Sequence, residues 1–173
     1  QGRFPVPTPN PEIVIYDSAY AYTIVGYRAI AGRALSRDQL SAFDSKAFAL
    51  LGRNLGRFLS TLHGTPLHQF SKSLDRDRDS LPHWTAMIDD AARYLKPRLE
   101  IGRWNRVNRK LGKSIKRIAR FEYEPALRHG DFGFGNFLFD EQDRLSGVID
   151  FGSAGFGDPA VDIAGLTATN GPG

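Results

Sequence analysis

Between Leu127 and Asp162 the chain reads LRHGDFGFGNFLFDEQDRLSGVIDFGSAGFGDPAVD, and this stretch restricts the fold more than any other. Asn136 to Asp140 is rich in β-formers, Glu141 to Arg144 is polar, and Leu145 to Asp150 resumes an extended pattern, which predicts a β-hairpin. A hairpin folds its ends together. Asn136 enters the first strand and Asp150 leaves the second, so both oxygen-bearing side chains are expected at one end. Asp131 precedes Asn136 by five positions, and Asp150 follows Asn136 by fourteen.

Each of these side chains has a definite chemical capacity. Ionised Asp131 is acceptor-only, so on a loop it can take the proton of a hydroxyl and aim that oxygen at a phosphorus atom. Asn136 and Asp150 offer hard oxygen ligands, of which Mg²⁺ takes one or two from protein and completes its octahedron with water and phosphate. Taken singly, Asp and Asn in Gly-rich loops also serve as turn caps. Taken together, HGDFGFGN and then Asp150-Phe151-Gly152 follow the H-x-D-x-x-x-x-N and D-F-G order of protein kinases.

HGDFGFGN, with GVIDFGSAGFGDPAVDIA after it, resembles the aminoglycoside phosphotransferase family of small-molecule kinases. The motif stretch is about a fifth of the chain, and weaker similarity extends across most of the rest. The resemblance implies that Asp131 is the catalytic base, that Asn136 and Asp150 hold Mg²⁺, and that ATP is the phosphoryl donor. It implies a hydroxyl-bearing small molecule as acceptor, an aminoglycoside being the family's example. His129, Asp158 and Asp162 are candidates for structural support. For Asp162 two roles stand open, a favourable interaction with its helix N-terminus and, from its family position, bracing of the catalytic loop.

The implied fold class is α+β: a mostly helical C-terminal lobe of a protein-kinase-like fold with β-hairpins, plus a two-strand remnant of the N-terminal lobe. Residues 1–31 would be that remnant with the hinge, and residues 32–173 the C-terminal catalytic lobe, incomplete at its C-terminus. Protein kinases carry Arg before the catalytic Asp and a long segment after D-F-G. Here Gly130 stands in that place, and only Ser153 to Gly157 separate Gly152 from Asp158. Without room for an activation loop, a small acceptor suits the chain better than a protein.

The larger departure lies upstream. A kinase needs a Gly-rich loop over the phosphates and a strand Lys, yet the first lysine is Lys46. The chain is therefore expected to be truncated at both ends, to bind nucleotide poorly by itself and to turn over little. The alternative reading is a non-catalytic nucleotide-binding or interaction domain of kinase-like fold.

Composition narrows the remaining classes. At 173 residues and 41% hydrophobic the chain can bury a real core, and its net charge of +4 suits an anionic ligand such as ATP without pointing to nucleic acid. The absence of cysteine excludes disulfides and thiolate metal sites, and no apolar run suits a membrane span, so a cytoplasmic protein is expected. Arg103, Arg106, Lys110, Lys113, Arg117 and Arg120 flank an apolar stripe of Trp104, Val107, Leu111, Ile115 and Ile118, which predicts an amphipathic helix with a solvated basic face. Gly112-Lys113-Ser114 is not a P-loop, because Val107 occupies the position that requires the first glycine.

The rest of the chain reads as scaffold. Prolines at 5, 7, 9 and 11 predict a linker; Glu12 to Tyr16 and Tyr20 to Arg28 predict an antiparallel pair turning at Asp17-Ser18. By the resemblance, Arg28 to Gly32 is the hinge, and the backbone of Ala29 and Ile30 pairs with adenine. Ser36 to Gln39 is a capping box, followed by a short and then a long helix that ends at Gly64. His63, at that helix end, is expected to cap carbonyls rather than join His68 in a metal site. Gln69 to Pro82 reads as a charged loop, Trp84 to Leu99 as a helix interrupted near Pro97, and Asp158-Pro159 as the start of a last helix.

Overall fold

The computed structural model describes residues 4–17, 19, 22–66, 68 and 81–170. The loop from Gln69 to Ser80, and Ser18, Tyr20 and Ala21 of the expected turn and strand, lie outside the described residues. β1 (Pro11–Asp17) and β2 (Tyr22–Tyr27) form the expected antiparallel pair, with Ile15 opposite Ile24 and Val14 opposite Val25. Strand alternation sets Ile13, Ile15 and Ile24 on one face and Val14, Tyr16 and Val25 on the other. All six are exposed.

The proline-rich start is not the linker that its composition predicts. Phe4 stacks on Phe58 with ring centroids 5.1 Å apart, Val6 packs against the core, and the Pro7 carbonyl accepts the Val148 N–H at 3.0 Å. Proline lacks a donor but keeps its acceptor, so such a segment can satisfy a strand edge without joining a full ladder.

The helices begin where side chains can satisfy their first N–H groups. α1 (Arg37–Ser41) carries the capping box: Ser36 Oγ accepts Gln39 N–H at 3.2 Å, and Gln39 Oε1 accepts Ser36 N–H at 2.9 Å. α2 (Ser45–His63) starts at Asp44, whose Oδ1 accepts Ala47 N–H at 2.7 Å, and buries Leu51, Leu55, Phe58, Leu59 and Leu62 at helical spacing. α3 (Leu81–Leu95) tightens into a 3₁₀ turn at Lys96–Arg98, where Pro97 sits, and α4 (Ile101–Ile118) packs back on it with Trp104 buried. Among the described residues no helix is long and apolar enough to cross a membrane.

The organising stretch follows. β4 (Phe137–Phe139) and β5 (Leu145–Val148) form the expected hairpin, Phe137 opposite Val148. β3 (Ala126–Arg128) pairs antiparallel with β6 (Gly155–Gly157), Leu127 opposite Phe156, and α5 (Ala160–Asn170) follows. Sequence reading misses the β3–β6 pair because a three-residue strand with two glycines carries no strand signal. The core lies between α2 and the hairpin, where Phe58, Phe132, Phe137, Phe139 and Val148 are fully buried. Phe132 stacks on Phe58 at 5.7 Å, so the stretch around Asp131 is fastened to the core by its own neighbour.

Candidate active site

Asp131 is exposed, whereas Phe132 beside it is fully buried, so the loop passes from solvent to core in one step. The Asp131 carbonyl accepts Gly133 N–H at 2.9 Å and Asn136 Nδ2 at 2.8 Å. Asn136 Nδ2 also donates to Asp131 Oδ2 at 3.0 Å, which commits the amide nitrogen to the loop and turns Asn136 Oδ1 elsewhere. Gly130 adopts φ 84° with the Ser153 carbonyl against the place of a Cβ. A residue with a side chain, such as the Arg of protein kinases, would overlap that backbone.

Two buried groups fix this loop from below. Asp162 is fully buried: its Oδ1 accepts Gly130 N–H at 2.8 Å, and its Oδ2 accepts His129 N–H at 2.9 Å and meets His63 Nε2 at 2.9 Å. Burial works against ionisation, yet the His63 hydrogen bond and the two backbone N–H groups outweigh it and hold the carboxyl below its ordinary 3.8. Of the two roles open to Asp162, its hydrogen bonds go to the loop. His63 does not cap carbonyls as expected but turns to Asp162, a partner 99 residues away that no local pattern could reveal.

His129 is the second buried group. Its Nε2 donates to the Ile149 carbonyl at 3.0 Å, and its Nδ1 accepts Asp131 N–H at 3.3 Å, roles that require the neutral Nε2–H tautomer. Burial holds its pKa below the ordinary 6.5, against the Ile149 carbonyl and the carboxylates of Asp162, Asp131 and Asp150, which favour the cation. Asp158, the third support candidate, accepts Ala160 N–H at 2.9 Å and so caps α5.

Asn136 and Asp150 sit together at the open end of the hairpin, because the Asn136 carbonyl accepts Ile149 N–H at 2.9 Å. Asp150 is left-handed, at φ 63° and ψ 68°, with Oδ1 accepting Gly152 N–H at 3.2 Å. That conformation costs about 1 kcal/mol, and the packing of Phe151 on His129 at 4.6 Å holds it. Segment 30–33 crosses the same hairpin: Ile30 covers Gly147, the Ala31 carbonyl accepts the Ser146 hydroxyl at 2.9 Å, and Arg33 and Phe139 exchange backbone bonds at 2.9 Å. Among the described residues no backbone group pairs with that of Ala29 or Ile30.

The arrangement has known counterparts. Residues 2–172 match the phosphotransferase enzyme family, APH. Viomycin phosphotransferase of Streptomyces vinaceus is 45% identical over 49 residues, which are 27% of this chain and 17% of that protein. The fold is similar to that of APH(2")-IIia in its GDP and kanamycin complex, with a TM-score of 0.81 at 23% identity over 99% of this chain and 58% of that one. It is also similar to the streptomycin-ATP-APH(2")-IIa ternary complex, with a TM-score of 0.61 at 26% identity over 92% and 52% of the two chains. The chain thus spans little more than half the length of these structures and shares their kinase-like α+β architecture. Matched along nearly its whole length, the chain belongs to the phosphotransferase enzyme family.

Proposed function

We propose that this chain carries the catalytic loop and part of the nucleotide site of an ATP-dependent O-phosphotransferase acting on a hydroxyl-bearing small molecule. On this reading residues 1–31 form the adenine-side segment and residues 32–173 the catalytic lobe. The observation that carries it is the placing of three residues at one end of the hairpin: Asn136 holds Asp131 through Nδ2, and its backbone carbonyl accepts the N–H of Ile149, the residue before Asp150. Relatives bound to GDP with kanamycin, or to ATP with streptomycin, support a nucleotide donor and a hydroxyl-bearing small-molecule acceptor.

Asp131 takes the proton of the acceptor hydroxyl as that oxygen bonds to the γ-phosphorus, while the bond from the γ-phosphorus to the bridging oxygen breaks and ADP leaves. Asn136 Oδ1 and the Asp150 carboxylate are hard oxygen donors of the kind Mg²⁺ takes and would hold the ion, and among the described residues Asp150 Oδ2 has no hydrogen-bond donor. When bound, the ion would neutralise charge on the donor's phosphates. The backbone of Ala29 and Ile30 remains available to the adenine edge.

The test is Asp131→Asn in the complete protein. Turnover should fall by roughly 10² to 10⁴-fold with little change in the KM for ATP. Asp150→Asn should raise that KM as well. Unchanged turnover in Asp131→Asn would leave the loop without a catalytic role and favour a nucleotide-binding domain.

A further inference from the structure

α4 sorts its side chains by charge. At 3.6 residues per turn, Trp104, Val107, Leu111, Ile115 and Ile118 fall on one side, and seven Lys and Arg residues fill an arc of about 140° opposite. Trp104 is buried, the other four apolar residues are half-buried, and α4 packs on α3. Arg103, Arg106, Lys110, Lys113 and Arg117 run along the opposite side at spacings of three and four, Arg109 and Lys116 widen it, and all seven are exposed. α4 holds no Asp or Glu, and none of the seven cations forms an ion pair among the described residues. Elsewhere the chain holds 16 cations against 19 anions, and residues 69–80 carry three of each, so the net charge of +4 conceals one strongly positive face.

Aromatic side chains stand at the end of this face. Phe121 and Tyr123, just past α4, are both exposed, with ring planes 26° apart and centroids 6.5 Å apart. With Trp84 they line a cavity of about 240 Å³, and Arg117 of the basic face lines it too. The cationic track therefore leads to flat apolar faces. The volume is below the roughly 300 Å³ at which pockets take a whole drug-sized ligand, and it suits one planar ring system.

We propose that this face of α4 binds single-stranded RNA, with the RNA backbone along the cations and a base against Phe121 and Tyr123. From Arg103 to Arg117 the seven charges span about 21 Å, about one per 3 Å, close to the roughly 3.4 Å between phosphates along one stacked strand. Stacking on exposed aromatic rings needs bases that no complementary strand already holds, which selects a single strand over a duplex. A bilayer fits less well, because a helix lying on lipid inserts its apolar side, and that of α4 is packed inward. Asn105 and Asn108, exposed beyond one margin of the basic arc, carry amide oxygens that only accept hydrogen bonds. A phosphodiester has no donor for them, whereas the 2′-hydroxyl of RNA does.

Fluorescence anisotropy of a labelled oligouridylate, titrated with the complete protein over a range of salt, tests the assignment. The logarithm of the association constant should fall with that of salt concentration at a slope of roughly −0.7 per phosphate neutralised, about −5 for the full face. The triple variant Arg106→Gln, Lys110→Gln, Lys113→Gln changes exposed side chains alone and should flatten the slope to about −3 with helicity unchanged. Phe121→Ala should weaken binding roughly tenfold at an unchanged slope, and Phe121→Trp should restore it. Oligodeoxyuridylate, an RNA duplex and phosphatidylserine vesicles serve as competitors, each expected to bind more weakly. Absence of binding, a slope that the triple variant leaves in place, an unmoved affinity in Phe121→Ala, or tighter binding of any competitor overturns the proposal. None of these outcomes bears on phosphoryl transfer, which Asp131→Asn tests separately.

Discussion

Asp162 organises more of the candidate site than any other single residue, although it touches neither of the groups proposed to react. Its carboxylate satisfies two N–H groups of the loop, one buried and one partly buried, and one partly buried imidazole, so removing it strands the His129 N–H in the interior. Asp162→Ala should cost about 2 to 5 kcal/mol of stability. His63→Ala leaves both backbone bonds in place and should cost about 1 kcal/mol. Urea unfolding of the two variants gives the order directly. A larger loss in His63→Ala would mean that the histidine, not the loop, is what Asp162 principally serves.

At the scale of elements, the β4–β5 hairpin joins the two halves of the proposed nucleotide site. Its open end carries Asn136 and Asp150, while Ile30 lies over Gly147 in its second strand. A Cβ at Gly147 would stand 2.7 Å from Ile30 Cγ2 and 3.4 Å from the Pro7 carbonyl, so a side chain there must lift the segment proposed to meet adenine. Gly147→Val should therefore raise the KM for ATP roughly tenfold and leave the acceptor KM near its wild-type value. If both constants rise together, the substitution has disturbed the whole lobe and the hinge assignment loses its support.

For the molecule as a whole, two buried groups tie stability to pH with the same sign. His129 and Asp162 both have folded pKa values below their ordinary 6.5 and 3.8, so the unfolded chain binds more protons than the folded one. Stability then falls as pH falls. The His129 contribution is fully present above pH 6.5 and declines as the pH drops toward its folded value; that of Asp162 is present above 3.8 and is lost as its folded value is crossed. Denaturant midpoints measured from neutral to acid pH should show a first decline beginning near 6.5, which His129→Gln removes. A midpoint flat between neutrality and pH 4 in the parent chain would contradict the neutral, buried imidazole.

What the sequence determined by itself is local: the capping box at Ser36 and Gln39, the helix end at Gly64, and the hairpin that brings Asn136 and Asp150 to one end. Each depends on backbone hydrogen bonds between near neighbours and on a period of side chains that a short window displays. Only the tertiary structure decided that His63 meets Asp162, that Ala126–Arg128 pairs with Gly155–Gly157, that the proline segment closes on Val148, and that Trp84 lines one cavity with Phe121 and Tyr123. These contacts join residues far apart in the chain, and short glycine strands or single polar groups carry little preference of their own. Their partners are chosen by which apolar faces bury one another, because that burial brings the distant polar groups within hydrogen-bonding reach.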